Sequence, residues 1–292
     1  MNKPIKVLHM ISGGDTGGAK THVLELQKNL STKIDSSIIT FMDADFYKEF
    51  LDKGQDITLL KQKNRFDLSV ISKILKHIDS RGITLVHCHG ARANFLASFI
   101  KLFRRKLPII TTIHSDYLLD DFRGQKAFTY LYRALNKFCI KRLDYYIGVS
   151  KAFKKMLLDR NIGQENTVFD VYNGQNFHIP PEITCDKNAF FEKHGIPNNP
   201  DDIIVGVMGR LDPVKGHEVF IKMAAYILDQ NKAYRFVIAG DGSLKDELLN
   251  QARHTGYRER IHIVGWVDKP FDFYNALDIN TVTSHSESFP YI

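Results

Sequence analysis

Two cations stand five residues apart in "MGRLDPVKGHE", Met208 to Glu218. Arg210 follows the apolar run "DIIVGVM", and Lys215 comes just before a helical pattern. Fixed positive side chains at a strand-to-helix loop suit a diphosphate, which needs its charge neutralised as it leaves. A surface arginine and lysine in a polar loop would read the same from this stretch alone. The second candidate is "SGGDTGGAKTH", where Gly13, Gly14, Gly17 and Gly18 separate a strand from a helix. Glycines let backbone N–H groups approach an anion, and the helix N-terminus adds positive potential. A tight turn uses the same residues. The spacing is not GxGxxG, and no acid at the end of the second strand reads as a ribose ligand. A nicotinamide-type site therefore draws little support.

Gly240-Asp241-Gly242 also follows a strand and precedes a helix, which Asp241 or Ser243 could cap. Turn geometry accounts for this loop without a ligand. His114 ends the buried run "PIITTI" and is expected to point into a cleft, where it could donate to a hydroxyl or a phosphate oxygen. A hydrogen-bonded structural histidine fits equally well. His87 and His89 flank Cys88, a pattern that raises a metal site. Alternation turns neighbours to opposite faces and no matching ligand set appears, so no metal is expected. Glu287 is a single carboxylate in "TSHSESFPYI", a loop of small and polar residues after an apolar run.

The elements that position these loops alternate almost throughout. Strands are expected at 5–11, 35–41, 56–60, 83–87, 108–113, 144–149 and 167–171. Helices fall at 17–30, 67–80, 91–105, 124–142 and 150–159. The pattern breaks over 172–186, with an Asn173-Gly174 turn pair and Pro180-Pro181, which reads as a linker. A short helix at 187–195 follows. Strands then recur at 202–208, 234–239, 261–264 and 278–283, with helices at 215–229, 243–255 and 270–276. Such alternation implies parallel sheets covered on both faces, in two doubly wound domains, 1–175 and 176–292, facing a cleft. Ligands of such sheets bind at the carboxyl ends of the strands, where the loops above lie.

Composition narrows the class further. With 292 residues, 43% hydrophobic and 25% charged, the chain has material for a real core. Cys88, Cys139 and Cys185 form no CxxC, so neither a disulfide framework nor a zinc site is indicated. No apolar run has the length of a membrane span or a signal-peptide core, and a cytoplasmic location is expected. The net charge of +7 fits a solvated basic surface or attraction to anions. No helix-turn-helix, zinc-finger or RNP-like signature points to nucleic acid.

The segments "GGAKTH", "IHSD", "VSKAF", "VYNG", "GRLDPVKG", "AGDGSL", "VGWVDKPFDFYNALDI" and "SESFPY" occur in one order. Together they resemble family 4 of the retaining glycosyltransferases, which have the GT-B fold, over Ile5 to Ile292. The resemblance implies transfer of a sugar from a nucleotide diphosphate-sugar to an acceptor hydroxyl with retention, by front-face attack and without a metal. It implies that the Gly17-Gly18 loop and Gly209 approach the donor, and that Arg210 and Lys215 bind its diphosphate. His114 would lie beside the donor sugar. Glu287 matches the first glutamate of the family's E-x7-E motif and would hold sugar hydroxyls, with the N–H groups of Ser288 and Phe289. The second glutamate would fall at position 295, past Ile292, so an incomplete second domain is expected. "DAD", Asp43 to Asp45, resembles the DxD metal motif of the other large glycosyltransferase fold, but its place after the second strand reads as a helix cap.

The acceptor, a saccharide or a lipid-linked one, is expected on the first domain. "FIKLFRRKLP" (99–108) and "FTYLYRALNKFCIKRLDYY" (128–146) mix basic and aromatic residues, which suits shallow docking on anionic lipid. An amphipathic helix with a basic outer face reads the same way. Two other functions share the pattern: a nucleotide-sugar epimerase of the same fold, and a non-catalytic sugar-nucleotide-binding protein.

Overall fold

The structure is a computed structural model. It describes residues 4–14, 18–30, 34–116, 118, 126–174, 182–197 and 199–289. The chain divides into two compact units, Met1–Gln175 with Ser288–Tyr291, and Asn176–Glu287.

In the first unit β1 (Lys6–Ile11), β2 (Asp35–Thr40), β3 (Ile57–Leu59), β4 (Leu85–His89), β5 (Ile109–Ile113), β6 (Tyr145–Gly148) and β7 (Val168–Asp170) form one parallel sheet. Its order is β3-β2-β1-β4-β5-β6-β7. The crossovers are α1 (Gly18–Leu30), α2 (Asp45–Asp52), α3 (Ile71–Arg81), α4 (Ala91–Phe103), α5 (Lys126–Ile140) and α6 (Lys151–Asp159). Alternation along β1 explains the two-sided core. Leu8 and Met10 join one cluster with Ile74, Leu96, Ala97 and Ile100 of α3 and α4. Ile11 joins the other, with Val23 of α1 and Phe46 and Phe50 of α2.

Helix α2 follows the Asp43 to Asp45 stretch read as a helix cap, but the sequence reading gave it no range. Phe46 and Phe50 lie one turn apart and stack at 4.4 Å against the sheet. That i, i+4 pair was the available signal. The expected cap does not form: Ala44 is the N-cap, with no side-chain hydrogen bond, and Asp43 instead faces Lys61 at 3.8 Å. Helix α6 does have a side-chain cap. Ser150 accepts from Phe153 N at the start of α6.

In the second unit β8 (Ile203–Met208), β9 (Tyr234–Ala239), β10 (Ile261–Gly265) and β11 (Ile279–Thr281) form a parallel sheet in the order β10-β9-β8-β11. Helices α8 (His217–Gln230) and α9 (Lys245–His254) cover one face through Phe220, Leu228 and Leu248. Helices α7 (Lys187–Lys193) and α10 (Pro270–Asn275) cover the other through Phe190, Phe191 and Phe273. Asp186 caps α7 by accepting from Ala189 N at 2.8 Å. Asp202 is nearly fully buried beside Arg235 and Arg260. Burial works against its charge, but the hydrogen bonds from the two guanidiniums outweigh it and lower its pKa.

Both sheets reverse strand order once. The first does so between β1 and β4, the second between β8 and β11. Each reversal opens a crevice beyond the strand ends, the usual ligand position in open α/β sheets.

Candidate functional site

At the second unit's crevice the functional side chains are ions. Arg210 follows β8, and its side chain is 68% exposed. Its Nε donates to Asp212 Oδ2 at 2.6 Å. Lys215 lies in a 3-10 turn, Pro213–Lys215, just before α8. Its Nζ meets Glu287 Oε1 at 2.5 Å, with each side chain 21% exposed. The expected pair of cations and the expected carboxylate are thus gathered within this unit. Lys215 and Glu287 are 72 residues apart in sequence. Strand β11 beside β8 brings them together.

The loops are locked to one another by backbone. His285 N donates to Val214 O at 2.8 Å, and Thr283 Oγ1 to Lys215 O at 3.2 Å. Gly216 takes a left-handed φ of 62°, and a Cβ there would sit 2.2 Å from Thr283 O. On the other side, Leu211 N donates to Asp241 O at 2.9 Å and Leu244 N to Leu211 O at 3.0 Å. A Cβ on Gly240, φ 142°, would lie 1.9 Å from Gly209 O. The Gly240-Asp241-Gly242 loop is therefore a buttress pressed on the Gly209–Leu211 backbone. Neither Asp241 nor Ser243 caps α9, contrary to expectation. Leu244 is the N-cap without a side-chain bond, and Asp241 Oδ1 accepts from Gly242 N instead. Gly209 has only ordinary contacts around a notional Cβ, so its role is not steric.

Sequence reasoning missed His217. It is fully buried, and its Nε2 lies 3.2 Å from Arg210 O. Burial lowers its pKa. The neutral ring donates from Nε2, which leaves the buried, unpartnered Nδ1 as a bare lone pair. It holds the Arg210 carbonyl from below. His285 adds a second link, with Nε2 2.8 Å from Glu218 Oε1.

At the first unit's crevice the polar groups are imidazoles. His9 pairs in register with His87 across β1 and β4, and Ile11 with His89. Residues two apart share a face, so His9, His87 and His89 line one side while Cys88 joins the core on the other. His114 follows β5, and His22 projects from α1. His9 Nδ1 lies 3.2 Å from His89 Nε2, and His89 Nδ1 lies 3.3 Å from His114 Nε2. The His22 and His114 rings meet edge-on at 4.8 Å. Strand β4 runs two residues further than expected, to His89. That extension and the β1–β4 neighbourhood assemble a set that the sequence left unassembled. Two triads, His9-His87-His89 and His22-His89-His114, each bring three nitrogens within 4.8 Å of one another.

Burial keeps these rings neutral. It lowers His9 to about 4 and His114 to about 3, with His22 as a second cause for both. It pushes His87 and His89 well below the usual histidine range. Burial also lowers His22, while Asn173 pulls the other way. His9 Nε2 is buried without a partner. A buried lone pair left bare costs less than a buried N–H left bare. The proton of His9 is thus assigned to Nδ1, donating to His89 Nε2. His89 then donates from Nδ1 to His114 Nε2, and His114 presents Nδ1–H as a donor.

The remaining expected site residues are placed as follows. Gly17 lies outside the described residues, and Gly18 is the first residue of α1. Ser288 and Phe289 group with the first unit. Asn173 Nδ2 donates to Phe289 O at 2.7 Å, and the Tyr172 ring meets Phe289 edge-on at 5.1 Å. The turn pair at Asn173-Gly174 thus has a specific partner.

Two parallel sheets, each reversing its strand order once with the candidate loops beyond the strand ends, define the class, and the comparisons name the family. The Glycosyltransferase Family 4 profile matches residues 16–176 and the Glycosyl transferases group 1 profile residues 186–292. The chain belongs to this glycosyltransferase family, with the GT-B fold. It is 26% identical over 302 residues to the O-antigen biosynthesis glycosyltransferase WclY of Escherichia coli, covering 98% of this chain and 75% of that protein. It is 26% identical over 297 residues to a Campylobacter jejuni protein, with the same two coverages. That relative is the GalNAc-alpha-(1->4)-GalNAc-alpha-(1->3)-diNAcBac-PP-undecaprenol alpha-1,4-N-acetyl-D-galactosaminyltransferase. Among solved structures it resembles Anabaena Alr3699/HepE in complex with UDP-glucose, with a TM-score of 0.78 and 18% identity. That match covers 97% of this chain and 75% of the other.

Proposed function

We propose that the chain moves a sugar from a nucleoside diphosphate sugar to an acceptor hydroxyl, with retention, in cell-envelope polysaccharide or glycolipid synthesis. The observation that carries this reading is the Arg210, Lys215 and Glu287 set at the β8/β11 crevice. Arg210 and Lys215 neutralise the diphosphate as it departs, the work a divalent metal does elsewhere. Glu287 accepts from donor-sugar hydroxyls, and the N–H groups of Gly209, Ser288 and Phe289 serve the same ligand. Gly17 and Gly18 approach its phosphates, and His114 offers its Nδ1–H to a sugar oxygen. The bond from C1 to the β-phosphate oxygen breaks while the acceptor oxygen bonds to C1 on the same face. The acceptor proton passes to the departing phosphate oxygen. Rate then comes from orientation and electrostatics rather than from a protein base.

Relatives named for O-antigen and for undecaprenol-linked saccharides support a lipid-linked acceptor. The UDP-glucose bound to HepE makes uridine nucleotides the first donors to try. A face of the first unit fits a peripheral position on the inner surface of the cell membrane. Tyr130 is 78% exposed on α5, with Leu131 and Phe138 also exposed. Lys137 and Lys141 share that side of the helix, and Phe103 at the end of α4 adjoins Arg104 and Arg105. Apolar tips beside cations suit anionic headgroups. Among the described residues no helix is long and apolar enough to cross a membrane.

The test is incubation with a panel of nucleotide sugars, with and without lipid extracts as acceptor. Nucleotide release that depends on acceptor, with an unchanged anomeric configuration in the product, is expected. An altered sugar on an intact donor, or binding without turnover, would overturn the reading.

A further inference from the structure

Three histidines of the first unit come from three separate elements and meet at the strand ends. His22 is on α1, His89 ends β4, and His114 follows β5. We propose that they bind one divalent transition-metal ion of the zinc class, through three imidazole nitrogens with solvent as the fourth ligand. The ion would tie α1, β4 and the end of β5 together. It takes no part in neutralising the diphosphate, which falls to Arg210 and Lys215 in the other unit.

One nitrogen from each ring lies within 4.8 Å of the other two. His89 Nδ1 and His114 Nε2 are 3.3 Å apart. Two nitrogens on a tetrahedral zinc stand about 3.3–3.4 Å apart, given bonds of ~2.0–2.1 Å. That pair is therefore already at ligand spacing. His22 is half-buried, and the soft terminal torsion of its ring lets it close on them. The ion takes the place of the proton between His89 and His114, so His114 keeps its Nδ1–H. His89 then carries its proton on Nε2 and donates to His9 Nδ1, 3.2 Å away. His9 in turn moves its proton to Nε2, which is buried without a partner. That bare N–H works against binding, so the ion is exchangeable rather than permanent.

Outer partners are in place. A ligating histidine usually gives its other N–H to a fixed acceptor. For His89 that acceptor is His9. For His22 it is Asn173, which lies close enough to act on the ring. Asn173 Nδ2 donates to Phe289 O at 2.7 Å, which identifies the opposite atom as the oxygen. That Oδ1 is buried with no hydrogen bond, so an N–H from His22 would satisfy it. The ligand set selects the metal. Among the described residues it is imidazole only. Imidazole suits zinc, copper and nickel, whereas magnesium and manganese take oxygen ligands. Solvent access selects between the two triads. His9, His87 and His89 are all buried, and a divalent ion there would be desolvated among neutral rings. His22 and His114 are only half-buried, which leaves a position for water.

The test uses the full chain without an affinity tag, stripped of metal by a chelator and free of nucleotide. Calorimetry with zinc chloride should show one tight site per chain, and zinc should raise the melting temperature. Cobalt(II) should give the strong visible absorption of a tetrahedral ion. Magnesium and manganese(II) in large excess should displace neither. His22→Ala and His114→Ala each remove a ligand. Each should weaken zinc by more than the roughly 10–100-fold that a lost outer partner costs, and Asn173→Ala should fall within that range. His254→Gln, at an exposed histidine of α9, should bind like the parent. Unchanged zinc affinity in His22→Ala and His114→Ala variants that melt like the metal-free parent overturns the proposal. So does an equal loss in His254→Gln. A loss in His87→Gln with none in His22→Ala also overturns it, by moving the ion to the inner triad. No sugar nucleotide takes part, so a failed zinc titration leaves the transferase reading standing, and a failed transferase assay leaves the zinc site standing.

Discussion

Between β8 and β11 the polar groups are ions, and between β1 and β4 they are uncharged rings. Lys215 and Glu287 form an ion pair and keep a fifth of their side chains in solvent. His9 and His89 are almost wholly buried and are held neutral. Burying an unpaired charge costs far more than burying a hydrogen-bonded neutral ring. The charged set of the second unit therefore suits a phosphate, while the histidine set of the first offers only neutral donors and acceptors. The difference predicts which variants abolish turnover and which merely weaken it.

Removing Arg210 or Lys215 has the largest expected effect. Each Ala variant should lower kcat by about 10²–10³, or roughly 2.7–4 kcal/mol, as for other lost oxyanion contacts. His114→Ala should cost only about tenfold, since it removes a neutral hydrogen bond. Steady-state kinetics on the three variants decide the matter. Equal losses at His114 and Lys215 would erase the electrostatic distinction.

Next comes the buttress. Gly240→Ala places a methyl 1.9 Å from Gly209 O at a φ of 142°, which side chains rarely adopt. Strain of about 1–3 kcal/mol is expected. It should appear as a lower melting temperature together with weaker UDP binding, because Gly209 leads directly into Arg210. A variant that melts lower but binds UDP normally would show that the buttress stabilises without positioning.

The sheets were largely legible because buried parallel strands are short apolar runs with Gly- and Pro-rich breaks. Among the described residues, all eleven strands fall within two residues of the expected ends. Arg210, Lys215 and Glu287 stood out in the sequence as charges in loops, and the structure brings Lys215 and Glu287 into contact. Helix α2 was not, since "DFYKEFLD" is short and its apolar face rests on two phenylalanines. The histidine set was hidden for another reason. His9, His87, His89 and His114 come from three strands whose adjacency depends on the order β1-β4-β5, which spacing alone does not give. His217 was invisible because its partner is a backbone carbonyl.

Acid should loosen the first unit more than the second. A histidine whose folded pKa lies below its unfolded value favours folding fully above about pH 6.5. That contribution is lost as pH falls toward the folded pKa, about 4 for His9 and about 3 for His114. At pH 5.5 each of these two costs about 1.4 kcal/mol. The second unit holds fewer such rings, mainly His217 and His262, the latter lowered to about 4 by burial and then by Arg235. Hydrogen exchange at pH 7.5 and 5.5 should show a greater loss of protection in β1, β4 and β5 than in β8 and β9. Uniform loss in both sheets would contradict the asymmetry.

The smallest effect probes how the neutral rings are held. His87 Nε2 and Thr112 Oγ1 lie 2.8 Å apart, both buried. Thr112→Val keeps the shape of the side chain and removes that bond. The expected cost is about 1 kcal/mol, a typical net value for one neutral hydrogen bond. It should not change between low and high salt, because screening acts on charges and this contact has none. Donor binding at Lys215 and Arg210 should weaken over the same salt range. Melting of Thr112→Val and UDP titration of the parent, each at two ionic strengths, make the measurement. A salt-dependent Thr112 effect would mean that His87 carries charge in the folded protein, and the contrast between the crevices would fail at its most buried point.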